Sequence, residues 1–484
     1  MKLITKKQAK KIKAKYLKWG SKALAGAAAL SYLLAVYFVL TVSVIPTKYL
    51  LLILPITLAA VAGLAYGLIK DNAKNGRKSI ALGASAALVT GLCLYAAMLG
   101  ASTASFIGSL EQGDYTEVEY SIIAKNAKNG NSVELKQNNP TIGYLANDSN
   151  NELVLKAVKS RTNAAPSSYS DLATATNGLD EGAVTTAVLR SSYMALLQDN
   201  YSTFYKSSRV LDTFKIRVKN ASAAKAVDTT KPFVVYISGI DTYGDVSAVS
   251  RSDVNILAVI NPQTKKILLV NTPRDYYVQL NGTTGVRDKL THAGIYGVDV
   301  SRKTLQDLYA VNIDNYLRIN FTSLKTIVDR LGGVEVISSY SFKSGRYNFT
   351  KGPNMLDGAA ALEFSRNRYA FEDGDRQRGK NQQLVIEAII KKATGADVIV
   401  NYQSILSSLT GTFQTDASRA QTSALIKQQL NSLGDWKVES ISVDGSGKTA
   451  PTYSMGAQPL YVMEPNIDTV NIAKAKIAEY LVAK

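Results

Sequence analysis

Phe233-Val-Val-Tyr-Ile-Ser-Gly-Ile240 is the stretch on which the fold turns. It is a continuous apolar run of β-branched and aromatic residues, the pattern of a strand buried on both faces. Two further runs, 254–260 and 266–270, read as strands joined by the turn Asn261-Pro262-Gln263-Thr264. Strand patterns recur at 316–321, 334–337 and 436–443. Helical spacing occupies 302–309, 324–331, 358–364, 379–393, 404–413, 420–430 and 470–482. Strands interleaved with helices predict an α/β domain over residues 227–484, a sheet with helices on its faces.

Residues 109–226 are rich in Ser, Thr, Asn and Ala. A strand is expected at 140–146 and helices at 151–159 and 182–198. No catalytic constellation occurs there, so the expectation is a small accessory α/β domain. Residues 219–231 read as the linker that follows it.

Three apolar runs fill residues 1–108, at 23–45, 49–69 and 79–107. Each has about 20 residues or more without a charge, enough to cross a ~30 Å hydrocarbon core as a helix. The chain has 484 residues and a formal charge of +18. Residues 1–108 hold 14 Lys and Arg against one acid, Asp71, whereas the rest holds 42 bases against 37 acids. The basicity thus belongs to membrane topology rather than to a nucleic-acid partner. Nine lysines precede the first run, and Lys70, Lys74, Arg77 and Lys78 fill the second gap, against Lys48 alone in the first. A multi-pass protein of the cell membrane is expected, with a cytoplasmic N-terminus and everything beyond about residue 108 outside. A cleaved signal peptide fits poorly, because it would show one short apolar core.

The single cysteine, Cys93, excludes an intramolecular disulfide and a cysteine-built metal site. The single histidine, His292, excludes a multi-histidine centre, so any metal must be held by oxygen. The outer residues contain no cysteine, as is common in extracellular domains of Gram-positive bacteria.

Three clusters carry the chemistry. Asp241 ends one predicted strand and Asp253 begins the next, so on neighbouring strands both carboxylates share a sheet edge. Two carboxylates with phosphate oxygens make a Mg²⁺ site, although turn-capping aspartates would give the same spacing. Thr272-Pro273-Arg274-Asp275 ends the third strand, with Arg287, Asp288 and Lys289 following. Arginine forks match phosphate oxygens, and Lys289 is a further phosphate candidate; a surface ion pair is the plain alternative. Residues 366–380 hold five bases and three acids at the join of two predicted helices. Arginine side chains with helix N-terminal amides form an anion site there, unless the run is a solvated face. His292 alone suggests a structural histidine. Neither a Gly-x-x-x-x-Gly-Lys loop nor a Gly-x-Ser-x-Gly elbow occurs.

At these residues the chain resembles the LytR-CpsA-Psr family, the cell-wall glycopolymer ligases of Gram-positive bacteria. The likeness is carried by 238–244, 251–253, 272–275, 289–297, 329–336 and 366–383, in family order across about 150 residues. The three apolar runs and the accessory domain resemble the capsule-attaching streptococcal-type members. The resemblance implies a mixed central sheet flanked by helices, which binds a polyprenyl pyrophosphate with its tail in an apolar tunnel. It implies transfer of a glycopolymer, here capsular polysaccharide, from undecaprenyl pyrophosphate to peptidoglycan through a phosphodiester, beside other capsule-assembly proteins. Asp241 and Asp253 would hold Mg²⁺, or Mn²⁺. Arg251, Arg274, Arg366, Arg368 and Arg378 would grip the pyrophosphate, and Asp375 and Gln382 would orient them. Asp275, or an aspartate at the metal, is a candidate base. Where many members read Arg-Gln-Gln this chain reads Asn381-Gln382-Gln383, and Lys380 is the nearest substitute charge.

Two other readings use the same arginines. A protein that senses polyprenyl phosphates would not need the Asp241–Asp253 pair, and a polyprenyl-pyrophosphate hydrolase would use water as acceptor. A transcriptional role conflicts with a domain placed outside the membrane.

Overall fold

The computed structural model describes residues 6–71, 76–109, 115–126, 140–219, 227–395, 409–431 and 434–482. These fall into two compact units.

The first unit holds three long helices, Lys6–Val42, Thr47–Lys70 and Gly76–Ser109, with the helix Arg419–Asn431. Lys18–Val42, Thr47–Lys70 and Arg77–Ser109 are each long and apolar enough to cross a membrane. Leu33, Leu51, Ile56 and Leu88 are exposed on them, as side chains are when a helix bundle has lipid as its solvent. Lys48, in the first gap, donates to the carbonyl of Asn431 at 3.1 Å.

The second unit contains two large sheets and four two-stranded ladders among the described residues. In the first sheet β1 (Tyr115–Lys125), β2 (Thr141–Leu145), β3 (Ala165–Tyr169), β4 (Thr186–Arg190) and β5 (Ser208–Lys219) lie in the order β3-β2-β4-β1-β5. The helix Asn151–Lys159 forms as its apolar spacing predicts. The helix expected over 182–198 does not form; those residues make β4 and the start of the helix Tyr193–Asn200. β4 sits between β2 and β1, and all five of its residues are buried. A short run buried on both faces has the apolar density of a helix segment, and periodicity alone cannot separate the two. Of the expected 219–231 linker, residues 220–226 lie outside the described residues.

The central sheet is built from β6 (Phe233–Ile240), β7 (Ser252–Asn261) and β8 (Lys266–Asn271). After a small ladder of β9 (Tyr277–Val278) and β10 (Asp288–Lys289), β11 (Asn315–Ile319) joins β6 in parallel. Two antiparallel pairings follow: β12 (Val334–Ser338) with β15 (Gly352–Leu356), and β13 (Phe342–Ser344) with β14 (Tyr347–Phe349) as a hairpin between them. β16 (Gln414–Thr415) and β17 (Lys437–Ser442) complete the central order β16-β11-β6-β7-β8-β17, and β18 (Gly445–Thr452) pairs with β19 (Gly456–Pro465). The sheet is mixed: β6, β7 and β8 are antiparallel, whereas β17 joins β8 in parallel.

Alternation along β6 sends Val234 and Tyr236 to one face and Ile237 to the other. The first face is covered by the helices Val298–Tyr309 and Ile467–Leu481 through Leu305, Tyr309, Val470 and Ile477. The second is covered by Ile386 and Ile390 of the helix Gly374–Thr394. Burial on both faces explains why β6 reads as a continuous apolar run. The helix expected over 404–413 falls, for 404–408, outside the described residues.

The two sheets of this unit share a core. Ile295 and Met455 pack with Leu189, Leu196 and Leu197, and the Tyr193 and Tyr296 hydroxyls are 2.9 Å apart. Behind this contact Arg190 grips Asp148 through two hydrogen bonds, Nε to Oδ2 at 2.8 Å and Nη2 to Oδ1 at 2.6 Å. Burial works against the Asp148 charge, but Arg190 outweighs it and holds the carboxyl below its ordinary pKa.

Asp148→Asn strands the Arg190 charge in the interior, and breaking a buried pair in this way costs roughly 3–5 kcal/mol. The variant is expected to unfold at lower temperature in a thermal melt of the detergent-solubilised chain. Because the native carboxyl titrates below its unfolded value of about 3.9, the pair's contribution is complete above that pH and is lost as pH falls through the native value. An unchanged melting midpoint would show that the pair contributes nothing.

Candidate functional site

The site grows from a defect in the β6–β7 ladder. Gly239 pairs with Val254 and Ile240 with Ser252, so Asp253 is the extra residue of a bulge. Bulges bend a strand and re-aim a side chain. Asp253 here turns to Arg274, whose Nη1 donates to Asp253 Oδ2 at 2.9 Å, and to Thr291, whose hydroxyl donates to Oδ1 at 3.0 Å. Asp241 follows directly on β6 and accepts from Arg251 Nη2 at 3.0 Å and from the Ser250 hydroxyl at 3.3 Å.

Arg274 stands just past β8, where the chain leaves the sheet. Its Nε donates to Asp375 Oδ2 at 3.1 Å and lies 3.5 Å from Asp275 Oδ2. Asp375 and Arg378 occupy the first turns of the helix Gly374–Thr394. That helix passes so close to β8 that a Cβ on Gly379 would collide with Asn271 Nδ2. Arg378 Nη2 lies 3.5 Å from Asp375 Oδ2.

The charges are strongly coupled. Burial opposes the Asp253 carboxylate, but Arg274, Arg378 and Arg251 outweigh it and hold its pKa low. Burial likewise opposes the Asp275 carboxylate, and Lys289, 2.5 Å from its Oδ1, outweighs it together with Arg274. Arg274 is raised despite its burial by Asp253, Asp275 and Asp375. Arg378 is lowered by burial and then by Arg274. Arg378 is thus a guanidinium that an arriving anion would relieve.

Two cavities meet at this layer. One, of about 540 Å³, is lined on its apolar side by Val254, Ile319, Leu324, Leu362, Val385 and Ile386, and at its rim by Arg251, Arg366 and Arg368. The other, of about 290 Å³, is polar and lined by Asn271, Asp373, Asp375, Arg376, Lys380 and Asp444. Asp253, Arg274, Arg378 and Gln382 line both. Arg366 lies over the Phe321 ring at 4.2 Å and Arg368 over the Tyr369 ring at 4.8 Å. Neither makes an ion pair among the described residues.

The structure therefore gathers Asp241, Arg251, Asp253, Arg274, Arg366, Arg368, Asp375, Arg378 and Gln382 around two joined cavities. Lys289 and Asp275 are placed behind them, paired with each other. His292 is buried, its Nδ1 2.7 Å from Asp288 Oδ1. Asn381 is buried against the Phe364 carbonyl and Gln383 holds the Leu269 and Ile441 carbonyls, so of 381–383 only Gln382 faces the cavities.

Asp241 and Asp253 suit a divalent ion by donor type, and among the described residues no third His, Cys, Asp or Glu groups with them. Each of the two carboxylates accepts from an arginine here, Asp241 from Arg251 and Asp253 from Arg274, and oxygen donors of this kind are those that Mg²⁺ takes. Sequence reasoning missed Asp199, at the end of the helix Tyr193–Asn200, which lines the larger cavity. Its Oδ2 accepts from Arg251 Nη1 at 2.6 Å. The local sequence Gln198-Asp199-Asn200 bears no motif, so only the tertiary contact identifies it.

The LytR_cpsA_psr family model matches residues 198–472. The polyisoprenyl-teichoic acid–peptidoglycan teichoic acid transferase TagU of Enterococcus faecalis is 32% identical over 259 residues, covering 53% of this chain and 84% of its own. TagU of Bacillus cereus is 32% identical over 256 residues, covering 52% and 83%. Among solved structures, B. subtilis TagV is 27% identical and aligns over 52% of this chain and 98% of its own, with a TM-score of 0.45.

Arg378→Ala removes a guanidinium that burial and Arg274 both disfavour and that Asp375 meets only at 3.5 Å. Charge-assisted hydrogen bonds contribute about 1.5–3 kcal/mol, so affinity for inorganic pyrophosphate, read by calorimetry, is expected to fall about ten- to a hundredfold. Asp199→Asn releases Arg251 from an exposed pair of the kind that contributes about 0.2–1 kcal/mol. Pyrophosphate is then expected to bind more tightly, by less than about fivefold. Weaker binding by Asp199→Asn would show that Asp199 supports the anion site rather than competing for it.

Proposed function

The chain belongs to the LytR_cpsA_psr family, and from that membership we propose that it is a transferase that joins a glycopolymer to peptidoglycan. In this reading the donor is a polymer carried on undecaprenyl pyrophosphate, and the polymer is capsular polysaccharide. The named relatives are teichoic acid transferases; three apolar helices and a second sheet ahead of the main domain, a resemblance to capsule-attaching members, support capsule here. The protein spans the cell membrane three times, with its N-terminus inside and its two sheets outside, as the lysine distribution favours.

The observation that carries this proposal is the shared layer of Asp253, Arg274, Arg378 and Gln382 between an apolar and a polar cavity. A polyprenyl chain suits the apolar side and sugars suit the polar side, which leaves the pyrophosphate at the guanidiniums. The acceptor hydroxyl attacks the phosphorus that bears the polymer. The bond to the lipid phosphate breaks, lipid monophosphate leaves, and the retained phosphate becomes the phosphodiester.

Arg274 and Arg378 hold the oxygens on which charge develops, a stabilisation fixed before reaction begins. Arg251, Arg366 and Arg368 orient the remaining phosphate oxygens from the rim. Mg²⁺ held by Asp241 and Asp253 would supply further charge neutralisation there. Asp375 is the proposed base: it lines the polar cavity, and its Oδ1 is buried without a hydrogen-bond partner among the described residues. Asp275, held low by Lys289 and Arg274 against the effect of burial, serves to position Arg274.

The test supplies the full chain with an undecaprenyl-pyrophosphate-linked oligosaccharide and a peptidoglycan oligomer, with conjugates read by mass spectrometry. A phosphodiester-linked conjugate is expected, with a rate about 10²–10³-fold lower for Arg274→Ala, as for loss of one oriented donor at a developing anion. Chelation of divalent ions and Asp253→Asn are each expected to abolish most of the product. Free lipid monophosphate without conjugate would replace the proposal with a hydrolase, and lipid binding without any product would replace it with a carrier sensor.

A further inference from the structure

The hairpin β13–β14 and the loop that follows the helix Gly358–Arg366 form a surface beside the larger cavity, of which the transfer reading uses Arg368 alone as a phosphate contact. Phe342, Phe349 and Phe364 close the inner side of the hairpin, with ring centroids 4.8, 5.4 and 5.2 Å apart. Apolar side chains nevertheless remain outside this cluster. Ile337 is 57% exposed, Tyr340 52%, Met355 72% and Tyr369 87%. Tyr340 leans on Phe371 at 5.9 Å, and Phe371 meets Phe342 at 4.8 Å, so the loop and the hairpin are one assembly.

Cations are interleaved with these groups. Residues 338–356 contain Lys343, Arg346 and Lys351 and no acid. Arg346 lies 5.1 Å from the Tyr347 ring centroid and Arg368 4.8 Å from that of Tyr369. Glu335 is the one acid on the exposed face of β12, opposite Met355 in the ladder, and Glu372 follows Phe371 in the loop. Exposed apolar groups of this size mark a binding surface. Lysine is depleted from the cores of protein interfaces, whereas tyrosine interleaved with lysine and arginine is the composition of membrane-interface belts. Bases near an anionic leaflet are attracted to its surface charge.

The surface also borders the larger cavity. Ser344, Arg368 and Tyr369 line it, and the Ser344 hydroxyl donates to Glu363 Oε2 at 2.8 Å, which ties the hairpin to the cavity wall. A bilayer is always at hand for a chain with three helices able to cross one. We propose that the hairpin, with Tyr340, Met355 and Tyr369, rests on an anionic phospholipid surface and holds the mouth of the apolar cavity at headgroup depth. This goes beyond the transferase reading, since it needs a bilayer and neither donor nor acceptor.

The test uses the full chain with Cys93→Ala and one introduced cysteine carrying an environment-sensitive fluorophore, reconstituted into vesicles of phosphatidylglycerol and phosphatidylcholine. Tyr369→Cys and Met355→Cys report from the surface. Ala475→Cys, exposed on the helix that covers the opposite face of the central sheet, is the control. Headgroup-labelled quencher lipids are expected to remove most of the emission at 369 and 355 and little at 475. Reversing Lys343, Arg346 and Lys351 to Glu, or omitting phosphatidylglycerol, is expected to restore the emission, while the rate of conjugate formation from detergent-dissolved donor stays unchanged. Equal quenching at all three positions would overturn the proposal, as would quenching at 369 that ignores lipid charge. Protection at 369 that grows with protein concentration and not with lipid would assign the surface to a second copy of the chain instead. A chain that keeps this lipid contact but forms no conjugate would leave the surface standing and remove only the transferase reading.

Discussion

Positive charge crowded against apolar surface is the constraint from which the site follows. Arg274 and Arg378 share a few carboxylates at the ends of strands whose other residues are buried hydrophobics. Arg274 takes Asp253 and Asp375 at hydrogen-bond distance. Arg378 is left with one long contact to Asp375 and with the repulsion of Arg274. A bulge on β7 supplies Asp253, and the close approach of Gly379 to Asn271 brings Asp375 and Arg378 within reach. Either feature alone would leave guanidiniums buried without a counter-charge, which the interior does not tolerate.

The same layer makes the site two-sided. Its apolar wall is the face of the central sheet that Ile386 covers, and this wall runs out at β6 and β7 where the carboxylates begin. Its polar wall belongs to the helix Gly374–Thr394 and to Asp444 beyond β17. A molecule with a hydrocarbon part, a phosphate part and a sugar part meets three environments in the order in which its own chemistry changes. Arg366 and Arg368 lie on aromatic rings at the rim and make no ion pair among the described residues; Arg368 donates one hydrogen bond, from Nη2 to the Tyr369 hydroxyl at 2.7 Å.

Strands buried on both faces were the most legible part of the chain, because β6, β7 and β8 need no solvent-facing residue and show it as unbroken apolar runs. The same property misled at β4, where a five-residue buried strand has too little length to reveal its period. The clusters at 238–253, 272–275 and 366–383 could be read because each lies in one continuous stretch. Asp199 could not, since its meaning is a contact with Arg251 across 52 positions. Lys289 and Asp275 were legible as charged and not as mutually neutralised, because burial decides that and no spacing encodes it.

Asp199 also gives the first sheet a physical reason to be bound to the second. The helix Tyr193–Asn200 is anchored by Leu196 and Leu197 in a core that includes Ile295 and Met455. Its last turn is therefore held in register with the rim of the larger cavity. Arg251 lies between Asp241, just past β6, and Asp199, on the helix Tyr193–Asn200. Asp241 is the more buried partner, with a side chain 25% exposed against 51% for Asp199. Exposed pairs contribute little, so Arg251 can exchange Asp199 for a phosphate oxygen at small cost while Asp241 keeps its guanidinium in place. The helix Tyr193–Asn200 thus supplies a counter-ion that holds Arg251 beside the cavity and is weak enough for an anion to displace.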